Sequence, residues 1–264
     1  MRNSVQVTNM KKISLLFSLL LLPGLHAIAV KAESIATIKA RGEFNICVHN
    51  NALPFSKRES ASGLHIDLAQ LIAAELNVSL KLSWVNLPRY AKYVKCDAYM
   101  GVPIFPDEDE GFLKKTKPYT QIEILAISNA NRQLKSIDDF DGLRVATISS
   151  SLIHMALLKR DVEIFVAFRN DLEIIDALIN GDVDVAIAAN AYWGFYKKTN
   201  PQAVADFHSQ STEYLNSLNG YPLGIGFRKA DKATVTEANA ILDRLEERGD
   251  LTKLLDKYGM EPVK

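Results

Sequence analysis

Apolar, β-prone stretches alternate with amphipathic helical ones along most of the chain, and this rhythm restricts the fold more than any other feature. Residues 44–49 (FNICVH), 80–85 (LKLSWV) and 96–102 (CDAYMGV) predict three strands, and residues 67–76 predict a helix with one apolar stripe. Strands that are joined through helices pair in parallel. The first part of the chain therefore predicts a parallel α/β unit.

The same rhythm restarts in the middle of the chain. The predicted elements are, in order, strand 143–148, a helix that opens at 149–151 and runs to about 159, strand 163–168, helix 171–180 and strand 183–188. Extended segments near 122–128 and 221–228 flank this second unit, and two helices close the chain. The pattern predicts two lobes joined by two crossing strands, with residues 33–125 plus 226–264 as lobe 1 and residues 126–225 as lobe 2. A single continuous α/β domain is the alternative.

Residues 1–32 predict an export signal. A Lys-Lys pair precedes ten apolar residues (13–22), a Pro-Gly break follows, and VKA at 30–32 offers the small residues of a cleavage site. An uncleaved membrane anchor is the alternative, but ten residues fall short of the roughly 20 that span a bilayer. The true start is Met1 or Met10. We therefore expect an exported, periplasmic protein.

The charge balance argues against one large class of partners. The chain has 31 basic and 31 acidic residues, but residues 1–32 hold four of the basic ones and no acid. In the remaining 232 residues, acidic side chains therefore outnumber basic ones, 31 to 27. Nucleic-acid recognition needs a clustered basic face, so we expect no nucleic-acid partner. The 48% hydrophobic and 23% charged content is typical of a globular protein.

Cys47 and Cys96 are the only cysteines. Export to an oxidising compartment favours a disulfide between them. A metal site is the alternative, but it needs more ligands close together, and the five histidines are scattered. Closing the 49-residue loop would stabilise the fold by about 4 kcal/mol in the chain-entropy model. We expect no metal and no cofactor.

Five stretches, in order along the chain, resemble motifs of the bacterial extracellular solute-binding proteins of the amino-acid-binding type (family 3). They are Pro54-Phe55, GLHIDLAQLIAAEL (63–76), KSIDDFDGLRVATISSS (135–151), GDVDVAIA (181–188) and LDRLEERGDLTKLLDKYG (242–259). The resemblance implies an α/β, two-lobed periplasmic-binding-protein-like fold of type II, with two hinge strands and a ligand cleft between the lobes. It also implies closure over a small-molecule ligand and delivery to an ABC permease. We expect a monomer.

Three positions depart from the family pattern. His65 replaces an acid of the helix motif, and residues 101–119 lack the arginine that grips an α-carboxylate in the family. Ala189-Asn190 replaces the aspartate that holds an α-ammonium. A buried ion without a partner is expensive, so we expect a small polar solute other than a free α-amino acid. We interpret His65 as a polar residue in a loop or at a helix start.

The chain also resembles a narrower subgroup, which accompanies periplasmic quinoprotein (PQQ-dependent) alcohol dehydrogenases. The matching stretches are FNICVHNNALPFS (44–56), CDAYMGVP (96–103), TKPYTQ (116–121) and VDVAIAANAYWGFY (183–196), and both cysteines fall in subgroup positions. The chain departs from the subgroup at Ala189-Asn190 and is shorter between Trp84 and Cys96. The resemblance implies a second hypothesis, an accessory protein of a PQQ-dependent dehydrogenase with a modified cleft.

Candidate ligand residues stand at the ends of predicted strands. Ligands of open α/β sheets bind beyond the carboxyl ends of the strands. This rule predicts that Gly101 and Val102 face the cleft from lobe 1, and that Asn190 and Tyr192 face it from lobe 2.

Four further candidates lie in loops or at a helix start. Ser149 and Ser150 open a helix, where free N–H groups can hold an anion, with plain N-capping as the alternative. Phe55 follows a loop proline and can stack on a ligand, or else it is a core residue. Arg89 could replace the missing carboxylate grip, or it is a solvated surface arginine.

Motifs for catalysis and for a metal are absent from the sequence. The acidic run at 107–110 (DEDE) lacks the spaced ligands of a calcium loop, so we interpret it as a solvated loop or a partner surface. There is no G-x-S-x-G, no H-E-x-x-H and no phosphate-binding glycine-rich loop. We expect no enzyme activity, with a periplasmic dehydratase as the alternative, because relatives of this fold include such enzymes.

Overall fold

The computed structural model describes residues 34–86, 90–105, 113–129, 132–212, 214–215, 217, 220–228 and 230–263. Three parts of the sequence prediction lie outside these residues: the export signal at 1–32, Arg89 and the acidic run at 107–110. Within the described chain, no helix combines the length and the apolar character needed to cross a bilayer.

Helices and strands alternate as the sequence rhythm predicts. The helices are α1 (Ile35–Arg41), α2 (Leu64–Leu76), α3 (Ala91–Val94), α4 (Leu152–Leu157), α5 (Asp171–Ile179), α6 (Asn190–Thr199), α7 (Lys232–Glu247) and α8 (Asp250–Lys257). The strands are β1 (Glu43–His49), β2 (Asn51–Ala52), β3 (Ser56–Lys57), β4 (Ser79–Val85), β5 (Ala98–Pro103), β6 (Leu113–Lys115), β7 (Thr120–Ile122), β8 (Ile124–Asn129), β9 (Arg144–Ala146), β10 (Glu163–Phe165), β11 (Val185–Ala189), β12 (Phe207–Ser211) and β13 (Tyr221–Arg228).

One sheet has six strands: five lie in the order β4-β1-β5-β13-β6, and β7 also pairs with β13. β1 runs parallel to both neighbours, so that Ile46 lies opposite Leu82 on one side and Ala98 on the other. β13 is antiparallel to β5, β6 and β7. The three strands predicted at 44–49, 80–85 and 96–102 correspond to β1, β4 and β5, and their predicted parallel arrangement is confirmed.

β1 buries side chains on both faces of this sheet. Phe44, Ile46 and Val48 pack into the main core with α1 and α2. Cys47 points to the opposite face, where it packs with Tyr99 of β5. Alternation along the strand therefore assigns α2 and the disulfide to opposite faces.

The second unit is a five-stranded sheet with the order β10-β9-β11-β8-β12. β9, β10 and β11 are parallel, while β8 and β12 are antiparallel to their neighbours. Because the strands are parallel, α4, α5 and α6 all begin at the same edge of the sheet. This edge is where the rule on strand ends predicts a ligand.

The two predicted lobe boundaries each fall inside a strand. Ile124 and Leu125 pair with β11 in the five-stranded sheet, although the prediction placed them in lobe 1. Residues 221–225 pair with β5 and β7 in the six-stranded sheet, although the prediction placed them in lobe 2. The chain crosses between the sheets at 122–124 and again between β12 and β13. The sequence did not locate these boundaries, because β8 and β13 are both apolar and could join either sheet.

Cys47 and Cys96 form the predicted disulfide, with Cα atoms 5.6 Å apart. Both residues are buried. The bond joins β1 to the residue two positions before β5, on the face of the sheet opposite α2. It closes a loop of 49 residues, for which the chain-entropy model gives about 4 kcal/mol of stabilisation.

Candidate functional site

The helix starts at the edge of the five-stranded sheet carry polar residues. Ser151 caps α4, because its hydroxyl accepts a hydrogen bond from the backbone N–H of His154 at 3.0 Å. The backbone N–H of Ser150 donates to His154 Nδ1, also at 3.0 Å. Ser149 and Ser150 are exposed. The expectation of a free donor is therefore wrong for the Ser150 N–H in this structure, because a side chain one turn later accepts from it.

Asp171 is the first residue of α5, and sequence reasoning did not select it. Its carboxylate accepts a hydrogen bond from the backbone N–H of Ala189 at 2.8 Å, which connects α5 to the end of β11. Burial raises the pKa of this carboxyl group. Within the described chain, Asp171 forms no ion pair with a Lys, Arg or His side chain. A first-turn acid is ordinary for a helix, so the sequence held no signal that this one is half-buried.

A ring contact at this edge joins the loop between β2 and β3 to α6. Phe55, in the loop between β2 and β3, meets Tyr192 of α6 edge to face, with ring centroids 5.9 Å apart and planes at 83°. Burial, and then the nearby charge of Asp171, raise the pKa of the Tyr192 hydroxyl. The same two causes raise the pKa of Tyr221, which begins β13. Asp171 therefore lies close to Tyr192 of α6 and to Tyr221 of β13.

His65 lies inside α2 and is buried, with a neutral imidazole. Its Nε2 is 2.9 Å from the Tyr119 hydroxyl, and its ring lies 4.8 Å from that of Phe55. Burial lowers the pKa of His65 to about 3. Gly101 has φ 71°, and a Cβ at that position would lie 2.3 Å from His65 Cε1. Glycine at 101 thus provides the space that the imidazole occupies.

Asn190 lies on a different side from the Phe55–Tyr192 contact. Its backbone N–H donates to the Glu123 carbonyl at 2.8 Å, and its side-chain Nδ2 donates to the Gln121 carbonyl at 3.0 Å. It lines a cavity of about 380 Å³ together with the C-terminal residues around Met260. The side chain therefore holds the start of α6 to the crossing between the sheets.

A larger cavity of about 570 Å³ lies against β5. Phe55, Gly101 and Val102 line it, and no described lining residue belongs to β8–β12 or to the helices between them. Three of the predicted ligand residues thus share one cavity, and Tyr192 joins them through its contact with Phe55. Ser149, Ser150 and Asn190 are not among the described lining residues.

The chemistry of the edge between the sheets favours a cation. The Asp171 carboxylate, which has no charged partner among the described residues, lies near Tyr192 and Tyr221, and the Tyr192 ring touches Phe55. Aromatic faces attract cations, and a buried carboxylate is stabilised by one. Asp171, Tyr192 and Tyr221 can therefore bind a positively charged group.

Comparisons with known proteins agree with this architecture. The model of the family "Bacterial extracellular solute-binding proteins, family 3" matches residues 44–261. A probable histidine-binding protein of Neisseria gonorrhoeae is 25% identical over 215 residues, which cover 78% of each chain.

Two solved structures illustrate the likeness of fold. An ancestral cationic amino acid solute-binding protein has a TM-score of 0.69 at 21% identity, covering 85% of this chain and 99% of its own. The periplasmic binding protein XoxJ of Methylobacterium extorquens AM1 has a TM-score of 0.66 at 18% identity, covering 84% of this chain and 99% of its own. The predicted two-lobed α/β fold of type II is confirmed. Since the family model spans most of the sequence, the chain belongs to the bacterial extracellular solute-binding proteins, family 3.

Proposed function

We propose that the protein binds a small, positively charged organic solute in the periplasm and presents it to an ABC permease for uptake. The observation that carries this proposal is the Asp171 carboxylate, which is half-buried near Tyr192 and Tyr221 and forms no ion pair within the described chain. Even partial burial makes a carboxylate without a cation costly, so a bound ammonium group would stabilise the site.

The position of the site suits ligand-driven closure. Tyr192 belongs to α6, at the edge of the five-stranded sheet, and Tyr221 begins β13 of the six-stranded sheet. A ligand at Asp171 would contact both units and favour the arrangement in which they meet. Phe55 supplies an apolar ring next to Tyr192, against which the ligand's carbon skeleton can pack.

The descriptions of two similar proteins support a cationic ligand. One is a probable histidine-binding protein and the other binds cationic amino acids. Residues 101–119, however, contain no arginine to hold an α-carboxylate. We therefore expect amines without an α-carboxylate to bind better than the corresponding amino acids.

Matched ligand pairs test this proposal. Histidine with histamine, and arginine with agmatine, differ only in the carboxylate, and thermal shift followed by calorimetry on the chain from residue 33 compares them. A ligand at 100 times its Kd should add about 2.7 kcal/mol to the free energy of unfolding. We expect Asp171→Asn to weaken amine binding by at least about tenfold.

Asp182→Asn is the control, because Asp182 is exposed in the turn before β11. It should leave amine binding unchanged. Equal binding of one ligand by Asp171→Asn and the wild type would contradict the role of Asp171. A screen of amines, amino acids and organic acids that yields no ligand would contradict solute binding itself.

An accessory role for a periplasmic PQQ-dependent dehydrogenase is the second candidate. It rests on the stretches 44–56 and 96–103, which resemble the quinoprotein-associated subgroup, and on the likeness of fold to XoxJ. Co-elution of the purified protein with such a dehydrogenase, together with an empty ligand screen, would favour it. We expect no catalysis, which an assay of turnover with a prephenate-type substrate checks.

A further inference from the structure

We infer that the 570 Å³ cavity against β5 is a second binding site, for an elongated apolar molecule that ends in a carboxylate. The site lies on the six-stranded sheet alone, so its ligand does not need the two sheets to close. It differs in charge from the site at Asp171, and Phe55 lies between the two, lining this cavity and touching Tyr192.

The cavity follows from the way in which the chain crosses over the sheet. α2 connects the first strands to β4, and α3 connects β4 to β5 on the other side of β1. Right-handed crossovers therefore place α2 and α3 on opposite faces. α3 has only four residues, about 6 Å of helix, whereas the six residues of β5 extend about 17 Å from first to last. Within the described chain, α3 is too short to cover this strand.

The walls of the cavity are mostly apolar. Ala98, Val102 and Leu113 line it, together with the Tyr99 ring, and Cys96 contributes one half of the disulfide. A surface of this kind favours hydrocarbon over a polar solute. The lining residues run along β5 from Cys96 to Pro103, which suits an alkyl chain or two linked aromatic rings.

The charge on the lining is positive. Among the described lining residues, Arg228 is the only lysine or arginine, and there is no Asp or Glu. Its backbone N–H donates to the Asp97 carbonyl at 3.0 Å, which places Arg228 at the start of β5. Within the described chain, its guanidinium forms no ion pair. An arginine free to form two parallel hydrogen bonds is a good partner for a carboxylate.

The opposite end of the cavity is apolar and uncharged. Phe55 and Pro103 lie there, at the other end of β5 from Arg228. His49 Nδ1 accepts a hydrogen bond from the Asn51 backbone N–H at 3.1 Å, and the buried His65 is neutral. A ligand thus binds with its carboxylate at Arg228 and its hydrocarbon tail along β5 toward Phe55.

Decanoate, decanol and decylamine, each below its micellar concentration, serve as probes in calorimetry. The wild type binds decanoate saturably, and decanol and decylamine at least about tenfold more weakly. Arg228→Gln lowers the affinity for decanoate to that for decanol. Val102→Trp fills the cavity and weakens all three probes. Arg169→Gln, at an exposed arginine that pairs with Glu173, leaves decanoate binding unchanged.

Three outcomes would overturn the inference. They are no saturable binding of decanoate, equal affinity for decanoate and decylamine, and unchanged affinity in Arg228→Gln. Thermal melting and circular dichroism confirm that each variant is folded before binding is measured.

Asp171→Asn separates this site from the proposed uptake site. We expect it to leave decanoate binding unchanged, and loss of decanoate binding in that variant would refute the separation of the two sites. Failure of the amines to bind, with decanoate still bound at Arg228, would contradict the proposed function and support the second site.

Discussion

The backbones of Gly194 and Gly259 are in contact. A Cβ built on Gly194 would lie 1.9 Å from the Gly259 carbonyl oxygen, and one built on Gly259 would lie 2.2 Å from the Gly194 carbonyl carbon. Gly194 is in the middle of α6, and Gly259 follows α8, which packs against α2. The middle of α6 and the end of α8 therefore meet at two residues that both lack a side chain. Beside it, the rings of Phe195 and Tyr258 stack with centroids 6.5 Å apart.

We predict that Gly194→Ala destabilises the protein. In an ordinary exposed helix the change would gain about 1 kcal/mol. Here the added methyl group meets backbone, which cannot move away as a flexible side chain can, so we expect a net loss of about 1–3 kcal/mol. Urea denaturation measures the free energy of unfolding.

Gly181→Ala is the comparison for this variant. A Cβ at 181 meets nothing within 4 Å, but the φ of 81° strains any other residue. We expect a loss of about 1 kcal/mol from the backbone alone. A Gly194→Ala protein as stable as the wild type would show that the contact between α6 and the end of α8 is loose.

The disulfide gives a second prediction. Replacing both cysteines by alanine should lower the free energy of unfolding by about 4 kcal/mol, because the 49-residue loop is no longer closed in the unfolded chain. The double variant avoids leaving a lone buried thiol. Mass spectrometry after alkylation without reductant should find no modified cysteine in the native protein, and two alkylated thiols would contradict the bond.

Local periodicity in the sequence was sufficient to predict the α/β class and most elements. The alternation in 44–49 and the stripe in 67–76 depend on residues that are close in the sequence, and β1 and α2 form there. The disulfide was also predictable, since Cys47 and Cys96 are the only cysteines in a chain whose sequence predicts export.

Features that depend on long-range pairing could not be predicted in the same way. Residues 221–225 are extended, as expected, but only their pairing with β5 and β7 assigns them to the six-stranded sheet. Asn190 comes directly after β11 and begins α6, and its side chain bonds to the Gln121 carbonyl of β7. Asp171 lies near Tyr192 and Tyr221, which are distant from it in the sequence.

The contact between Phe55 and Tyr192 gives a third prediction. Phe55→Leu and Tyr192→Leu each remove one ring, and the double variant completes a mutant cycle. An edge-to-face pair is worth about 0.5–1.5 kcal/mol beyond its buried area, so the two changes should be non-additive by that amount. Strict additivity in the free energy of unfolding would mean that the rings do not meet in the ligand-free protein in solution.

His65 gives a prediction about pH. Burial lowers the pKa of its imidazole from 6.5 to about 3 in the folded protein. Above pH 6.5 the side chain is neutral in the folded and in the unfolded protein, so His65 adds no pH dependence to the free energy of unfolding. Below pH 6.5 the unfolded chain takes up a proton that the folded protein excludes, so stability falls as the pH falls. The slope is about 1.4 kcal/mol per pH unit, and the total loss by pH 3 is on the order of 5 kcal/mol.

His65→Gln isolates this contribution. Glutamine does not titrate, and its side-chain amide can still bond to the Tyr119 hydroxyl, which otherwise would be buried without a partner. We expect the variant to be less stable than the wild type at pH 7.5, because glutamine does not fill the space over Gly101 as the imidazole does. The difference in the free energy of unfolding should shrink as the pH is lowered from 6.5 to 4.5, because protonation of His65 in the unfolded chain destabilises only the wild type. Urea denaturation at four pH values measures it, and a difference that stays constant with pH would show that His65 is protonated in the folded protein as readily as in the unfolded chain.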